Sequence, residues 1–327
     1  MPATDQDSAR PTRTARRTWR RLRAGAALAG TRAQLRVLEH VAPAAAGRKA
    51  VDLWCTYPAG ARTRDFRPAQ GAVTRLPAVR AGDVVVETWG DGPIVYLVHG
   101  WGGWRGQLGA FVGPLVAAGY RVVAFDAPGH GDAGPGFMGP GRGTVMELIE
   151  AFEVVGQEHG PAAGVLAHSL GCTSAAQVLH QGLAAERLVL VSPNGGFEDL
   201  VRQFAHVLRL ASRTAGDLRA AIDEATGRAL ADYDIAPLGA EGGMPGTLVV
   251  HDRLDHEVAF AEGEAIAAAW PNARLLSTQG LGHQRILTDP GVVAAAVAHL
   301  TGSAPAVPRD EVSRLRRTED FPATPRG

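Results

Sequence analysis

The sequence predicts an α/β protein in which a mainly parallel, eight-stranded sheet is covered by helices on both faces. From about residue 72 onward, short apolar runs alternate with segments of helical periodicity, as expected of strand–helix–strand units. Runs such as 94–98 are apolar throughout, which is typical of strands buried on both faces. The chain of 327 residues is long enough for one large domain of this kind with an insertion.

The individual elements follow from these patterns. Strands are predicted at 84–89, 94–98, 121–125, 164–167, 188–191, 247–250 and 274–277. Helices are predicted at 107–118, 144–159, 170–181, 260–270 and 290–300. Thr144 and Glu147 form a capping-box signature for the second of these helices. Residues 195–240 are helical in pattern without a strand, so they are predicted to form a helical insertion after the strand 188–191.

Charge divides the chain into a basic beginning and an acidic remainder. Residues 1–50 carry eleven basic residues against three acidic ones, whereas the rest carries 22 against 30. The body therefore lacks the basic footprint of a nucleic-acid-binding protein. The apolar stretch 24–30 is too short for an export signal or a membrane span, so a cytoplasmic protein is expected.

Three regions are predicted along the chain. Residues 1–60 form a basic tail and helix, 61–302 form the α/β domain with its insertion, and 303–327 form a flexible tail. The basic helix is interpreted as a surface helix, and the alternative is weak contact with an anionic membrane surface. Cys55 and Cys172 are too few for a disulfide framework, and Cys172 is expected to be a packed free thiol.

Ser169 is the candidate nucleophile. The strand 164–167 ends just before it, and a helix begins just after it. Small residues two positions before and after the serine, Ala167 and Gly171, allow strand and helix to approach closely in a strained turn. The alternative is a serine that only caps the helix.

A serine needs a base, and the base needs an orienting acid. His283 lies in a glycine-flanked loop beyond the strand 274–277, and it is the predicted base. The predicted acid is Asp255, in the loop after the strand 247–250. Asp252 competes for this role, or it braces the turn instead.

The loop His99–Trp104 is rich in glycine and follows the strand 94–98. Such a loop frees backbone N–H groups to bind a substrate oxyanion, and the expected donors are the N–H groups of Trp101 and Leu170. The alternatives are a glycine-rich turn without a role and a phosphate site, which would need a Lys-Ser/Thr ending that is missing. The residues expected around the substrate are His99, Gly100, Gly102 and His168.

A metal site would have to combine His99, His130 and His168 with Asp252. No two of these residues show the spacing typical of metal ligands. No metal and no cofactor are therefore expected.

Together these motifs resemble the α/β-hydrolase superfamily, and in particular the bacterial esterases, lipases and serine-aminopeptidase-like enzymes. The resemblance covers about residues 72–302, and Ala167, where the family pattern has glycine, is its departure within a motif. It implies a triad of Ser169, Asp255 and His283 and a helical cap at about 195–240.

The expected function is hydrolysis of a small-molecule acyl substrate, a carboxylic ester or a related acyl compound, through an acyl-enzyme on Ser169. An acyltransferase using the same triad and a non-catalytic binding protein on the same scaffold are the alternatives. The acyl chain length stays open.

Overall fold

The computed structural model describes residues 13–58, 64–78, 80, 82–303 and 316–317, and the side chains of those between 25 and 303. The beginning of the predicted N-terminal tail and most of the predicted C-terminal tail lie outside the described residues. The chain divides into two compact units, one of which combines the residues up to Trp54 with Leu200–Glu224. The other contains Cys55–Asp199 and the chain from Ala225 onward.

The helices and strands are named in chain order. The helices are α1 (Arg13–Val41), α2 (Pro43–Trp54), α3 (Val112–Ala117), α4 (Val145–His159), α5 (Leu170–His180), α6 (Phe197–Leu208), α7 (Ser212–Thr226), α8 (Ile235–Ala240), α9 (Phe260–Ala269), α10 (Gly282–Arg285) and α11 (Pro290–Thr301). The strands are β1 (Ala72–Pro77), β2 (Asp83–Trp89), β3 (Ile94–Val98), β4 (Arg121–Asp126), β5 (Gly164–His168), β6 (Arg187–Val191), β7 (Gly246–Asp252), β8 (Ala273–Thr278) and β9 (Arg316–Arg317).

All described strands belong to one sheet with the order β1-β2-β4-β3-β5-β6-β7-β8-β9. Six neighbouring strands, from β4 to β8 in this order, run parallel to one another. The first two strands and the two-residue β9 pair antiparallel at the edges. The predicted mainly parallel sheet of eight strands is confirmed, with β9 added at one edge.

Helices cover both faces of the sheet, as the alternating contacts of β3 show. Val95 and Leu97 belong to a buried cluster that also contains Leu115 of α3 and Leu300 of α11. Tyr96 lies between them in sequence and points to the other face, where its ring contacts Phe152 of α4 at 5.3 Å. A strand with apolar neighbours on both faces must be apolar throughout, which explains the sequence of β3.

The capping box of α4 is confirmed. The hydroxyl of Thr144 accepts a hydrogen bond from the N–H of Met146 at 3.2 Å, and the carboxylate of Glu147 accepts one from the N–H of Thr144 at 2.7 Å. These contacts satisfy two backbone donors that the first turn would otherwise leave unpaired.

The helix predicted at 107–118 forms differently. A 3₁₀ helix occupies Arg105–Phe111, and only Val112–Ala117 is α-helical. Gly109 explains part of the difference, since a Cβ on it would lie 2.3 Å from the backbone nitrogen of Arg67. The chain at residues 66–67 therefore packs directly on the backbone of this turn, which sequence periodicity does not reveal.

The first unit is helical. Within it, the guanidinium of Arg32 on α1 donates to the carbonyl of Val207 at 2.8 Å, and the carboxylate of Glu39 accepts from the N–H of Ala211 at 2.7 Å. Trp54 of α2 meets Phe204 edge to face at 5.2 Å. The N-terminal helices thus pack against residues of the insertion more than 150 positions away.

Among the described residues, no helix combines the length and the apolar character required to cross a membrane. Helix α1 has 29 residues, but arginines interrupt every long apolar stretch in it.

Candidate functional site

The predicted site residues lie at one edge of the sheet. His99 follows β3, Ser169 follows β5, Asp255 follows β7 and His283 follows β8. Because these strands are parallel, their carboxyl ends meet at the same edge, where open α/β sheets form their sites.

Ser169 occupies a strained turn between β5 and α5. Its φ of 55° and ψ of −125° lie in a region that residues other than glycine rarely adopt. The N–H of Ser169 donates to the carbonyl of Val191 at 3.0 Å, and its own carbonyl accepts from the N–H of Cys172 at 3.0 Å. The hydroxyl makes no hydrogen bond that caps α5, so helix capping does not account for this serine.

A close contact between two backbones holds this turn. A Cβ on Gly171 would lie 2.4 Å from the carbonyl oxygen of His99, which only a residue without a side chain avoids. A Cβ on Gly100 would lie 2.8 Å from the carbonyl oxygen of His168 and 2.9 Å from the Cβ of Ser169. The His99–Gly100 backbone therefore packs directly against the start of α5.

Asp255 and His283 form a buried hydrogen-bonded pair. Nδ1 of His283 lies 2.8 Å from Oδ2 of Asp255, and their side chains are 4% and 0% exposed. Oδ1 of Asp255 accepts from the N–H of Glu257 at 2.8 Å and of Val258 at 3.1 Å. Burial raises the pKa of Asp255, but the nearby imidazoles of His251 and His283 outweigh it and hold this pKa below its usual range. The carboxylate is therefore ionised, and Nδ1 of His283 carries the proton between them.

Asp252 has a different role from Asp255. Its two carboxylate oxygens accept hydrogen bonds from the hydroxyl of Thr278 at 2.7 Å and from the N–H groups of Leu254, Gly280 and Leu281 at 2.9, 3.1 and 2.9 Å. These bonds join the loop after β7 to the loop after β8. Asp252 thus braces the loop that carries His283 and does not contact the imidazole.

His168 connects β5 to the loop that carries His283. Its Nε2 donates to the carbonyl of His283 at 3.0 Å, and the two rings lie 4.7 Å apart. Burial and the neighbouring His283 lower the pKa of His168 well below its usual value, so its ring stays neutral. His283 is thereby held beside the residue that precedes Ser169.

The structure does not join the Ser169 hydroxyl to the imidazole by a hydrogen bond within the part of the chain that it describes. The carboxylate of Glu257 lies 3.9 Å from Nε2 of His283. Hydrogen bonds between catalytic groups are often long without substrate and shorten when it binds.

The side chain of His99 fixes the predicted oxyanion loop. Its Nδ1 donates to the carbonyl of Gly100 at 2.8 Å, and its Nε2 accepts from the N–H of Ala127 at 3.2 Å. With both ring nitrogens bonded and 1% exposure, the side chain of His99 holds the backbone of this loop in place. The backbone hydrogen bonds of the described residues include none from the N–H of Trp101 or Leu170, the two expected oxyanion donors.

A cluster of buried, oppositely charged side chains next to the loop His99–Trp104 was not predicted from the sequence. Arg105 is 4% exposed and contacts Glu87 at 2.6 Å and the carboxylate of Asp126. Its backbone N–H also donates to Asp126 at 2.7 Å. The cluster ties the residue after the glycine-rich loop to β2 and β4. The feature of the sequence that could have indicated this cluster is Glu87, an acidic residue within an apolar strand.

Sequence reasoning also missed residues just before the α/β domain. The ring of Tyr57 meets Trp101 edge to face at 4.6 Å and lies 4.1 Å from His130. The guanidinium of Arg64 donates to the side chain of Gln284, next to His283, at 2.8 Å. No pattern in residues 55–64 announced these contacts, because they depend on where the segment packs.

The two cysteines are buried thiols outside any disulfide, as predicted for Cys172. Burial raises the pKa of the Cys172 thiol well above its usual value. Within the described part of the chain, no group of three or more His, Cys, Asp and Glu side chains is arranged to hold a metal ion.

Comparison with known proteins identifies the family and the fold of this chain. A sequence model of the family described as serine aminopeptidase, S33, matches residues 92–299. A hydrolase from Pseudomonas aeruginosa PA01 superposes with a TM-score of 0.55 at 21% identity, over 71% of this chain and 99% of its own. An esterase from Exiguobacterium antarcticum superposes with a TM-score of 0.54 at 19% identity, over 70% of this chain and 99% of its own. No curated protein sequence matches significantly. The α/β-hydrolase fold predicted from the motifs is confirmed.

The substitution Gly100→Ala is expected to lower the free energy of unfolding by about 1–3 kcal/mol, because the new methyl group would overlap the backbone around Ser169. Gly113→Ala is the matched control, since a Cβ there meets nothing within 4 Å. Urea denaturation of both variants measures the effect. Equal stability of the two would show that the packing around Ser169 is loose.

Acidification below about pH 6.5 is expected to destabilise the protein. Burial lowers the pKa values of His99, His130 and His168, so the folded state leaves them neutral while the unfolded state takes up protons near the ordinary histidine value. Each such group costs up to about 1.4 kcal/mol of stability at pH 5.5 relative to neutral pH. Urea denaturation at pH 7.5 and 5.5 tests this, and an unchanged midpoint would contradict it.

Proposed function

Because the chain belongs to the family described as serine aminopeptidase, S33, we propose that it is a serine hydrolase that cleaves a carboxylic ester or a related acyl bond. The observation that carries this proposal is the strained turn of Ser169 beside a buried, hydrogen-bonded Asp255–His283 pair. An isolated hydroxyl is a weak nucleophile, and these two residues are the groups that would activate it.

In the first step, the hydroxyl of Ser169 attacks the acyl carbon while Nε2 of His283 takes its proton. The proton can go only to Nε2, because Nδ1 is engaged with Asp255. The tetrahedral intermediate then collapses, the imidazolium returns its proton to the leaving alcohol, and the acyl-enzyme remains on Ser169.

In the second step, a water molecule gives its proton to His283 and attacks the acyl-enzyme, which releases the carboxylic acid and restores the serine. The negative charge of both tetrahedral intermediates would be stabilised by the N–H groups of Trp101 and Leu170. The packing of Gly100 against Ser169 and of Gly171 against His99 supports these donors, because it brings the oxyanion loop beside the start of α5.

The substitution Ser169→Ala is expected to lower the turnover of p-nitrophenyl esters by at least about 10⁴-fold while the fold is kept. Ser303→Ala, which alters an exposed serine, is the matched control and should retain full activity. Labelling by a fluorophosphonate provides a second measurement, since only an activated serine reacts quickly. Substantial turnover by the Ser169→Ala variant would rule out Ser169 as the nucleophile.

Two variants test the separate roles of the two acids. Asp255→Asn tests whether Asp255 orients the imidazole of His283, and Asp252→Asn tests whether Asp252 supports the loop that carries His283. Asp255→Asn is expected to lower kcat by about 10³- to 10⁴-fold, because an amide can favour the wrong histidine tautomer. Asp252→Asn replaces one of two oxygens that each accept two hydrogen bonds, so it should mainly lower the stability, by about 1–3 kcal/mol. Ester turnover and urea denaturation of both variants measure the two effects. A larger loss of kcat in the Asp252 variant would assign the acid to Asp252.

A further inference from the structure

A second histidine contacts the candidate acid. His251 lies on β7, four residues before Asp255, and its side chain is fully buried. Its Nε2 lies 3.3 Å from the carbonyl oxygen of Val258 and 3.6 Å from Oδ2 of Asp255. The same oxygen, Oδ2, accepts the hydrogen bond from His283. Two imidazoles therefore converge on one carboxylate oxygen.

The surroundings of His251 determine which of its nitrogens carries the proton. Both groups near Nε2 are acceptors, so Nε2 must be the donor. Nδ1 is buried without a hydrogen-bond partner, and a Cβ on Gly263 of α9 would lie 2.6 Å from it. A proton on Nδ1 would thus be a buried donor with no acceptor, which is costly. In the neutral ring, the proton is therefore expected on Nε2.

Asp255 consequently has donors on both oxygens. Oδ1 accepts from two backbone N–H groups, and Oδ2 faces His283 and His251. The backbone bonds come from the loop of Asp255 itself, whereas His251 belongs to the rigid strand β7. The contact with His251 therefore links the position of the Asp255 carboxylate to the sheet.

We infer that His251 is a positioning residue of the active site, which fixes Oδ2 of Asp255 so that His283 meets it in one orientation. This inference rests on the proposed function, because it assigns no role to His251 without the triad. The N–H dipole of His251, 3.6 Å from Oδ2, also offsets part of the negative charge of the carboxylate, which weakens the attraction between Asp255 and a protonated His283. His251 thus both orients the acid and limits how strongly it stabilises the protonated base.

The charged and titratable groups around the two histidines define the pH behaviour to be tested. His283 faces Asp255 and Glu257 from the loop after β7 and His168 from β5, and Arg64 reaches its neighbour Gln284. His251 faces Asp255, and Glu262 of α9 interacts with it electrostatically. These groups remain in place when His251 alone is changed.

The experiment measures the rate constant of inactivation by a fluorophosphonate as a function of pH in His251→Leu, His251→Gln and the wild-type protein. His251→Leu should react about tenfold more slowly at its optimum. The acid limb of its profile should move upward by about half a pH unit, because the carboxylate then stabilises the imidazolium more strongly. His251→Gln retains an N–H donor and should restore most of the rate.

His299→Gln is the matched control, since His299 lies on α11 and its Nε2 bonds the carbonyl of Gly246, far along β7 from Asp255. It should leave the profile unchanged. A His251→Leu variant that is folded and reacts with an unshifted profile would overturn the inference. Failure of Ser169→Ala to abolish labelling would instead overturn the proposed function.

A second measurement does not depend on the folding of any variant. Nitrogen-15 NMR of histidine-labelled wild-type protein should show the neutral ring of His251 with its proton on Nε2. His251→Gln assigns the resonance. A proton on Nδ1 in place of Nε2 would contradict the inference.

Discussion

The close contact between the His99–Gly100 backbone and the start of α5 is the constraint on which the rest of the site depends. It requires glycine at positions 100 and 171, because a side chain at either would overlap backbone atoms. The strained conformation of Ser169 persists because β5, β6 and α5 hold both of its ends. A local conformational cost is thus compensated by the packing of the parallel sheet around it.

Buried hydrogen bonds and ion pairs hold the remaining groups of the site in place. Asp252 joins the two loops that carry Asp255 and His283, and His168 bonds the backbone of His283 from β5. Arg105 and its acidic partners hold the end of the glycine-rich loop His99–Trp104 in place. Each of these side chains is buried and paired, so its hydrogen bonds are strong and its geometry is narrow.

The helical insertion contributes to a separate unit. Residues 200–224 pack with α1 and α2, and the contacts include Arg32 with Val207 and Glu39 with Ala211. The sequence predicted helices in both regions but not their association. Amphipathic periodicity indicates that a helix has an apolar face, but it does not indicate which partner covers that face.

Local patterns in the sequence determined the elements of the sheet and the order of the motifs. Apolar runs predicted β3, β5 and β6 because strands buried on both faces need them, and the Thr144–Glu147 pair predicted the start of α4 because its contacts are three residues apart. Only the tertiary structure separated the role of Asp252 from that of Asp255 and revealed the contacts of Tyr57, Arg105 and His251. These roles depend on atoms brought together from distant parts of the chain, and sequence spacing carries no information about such distances.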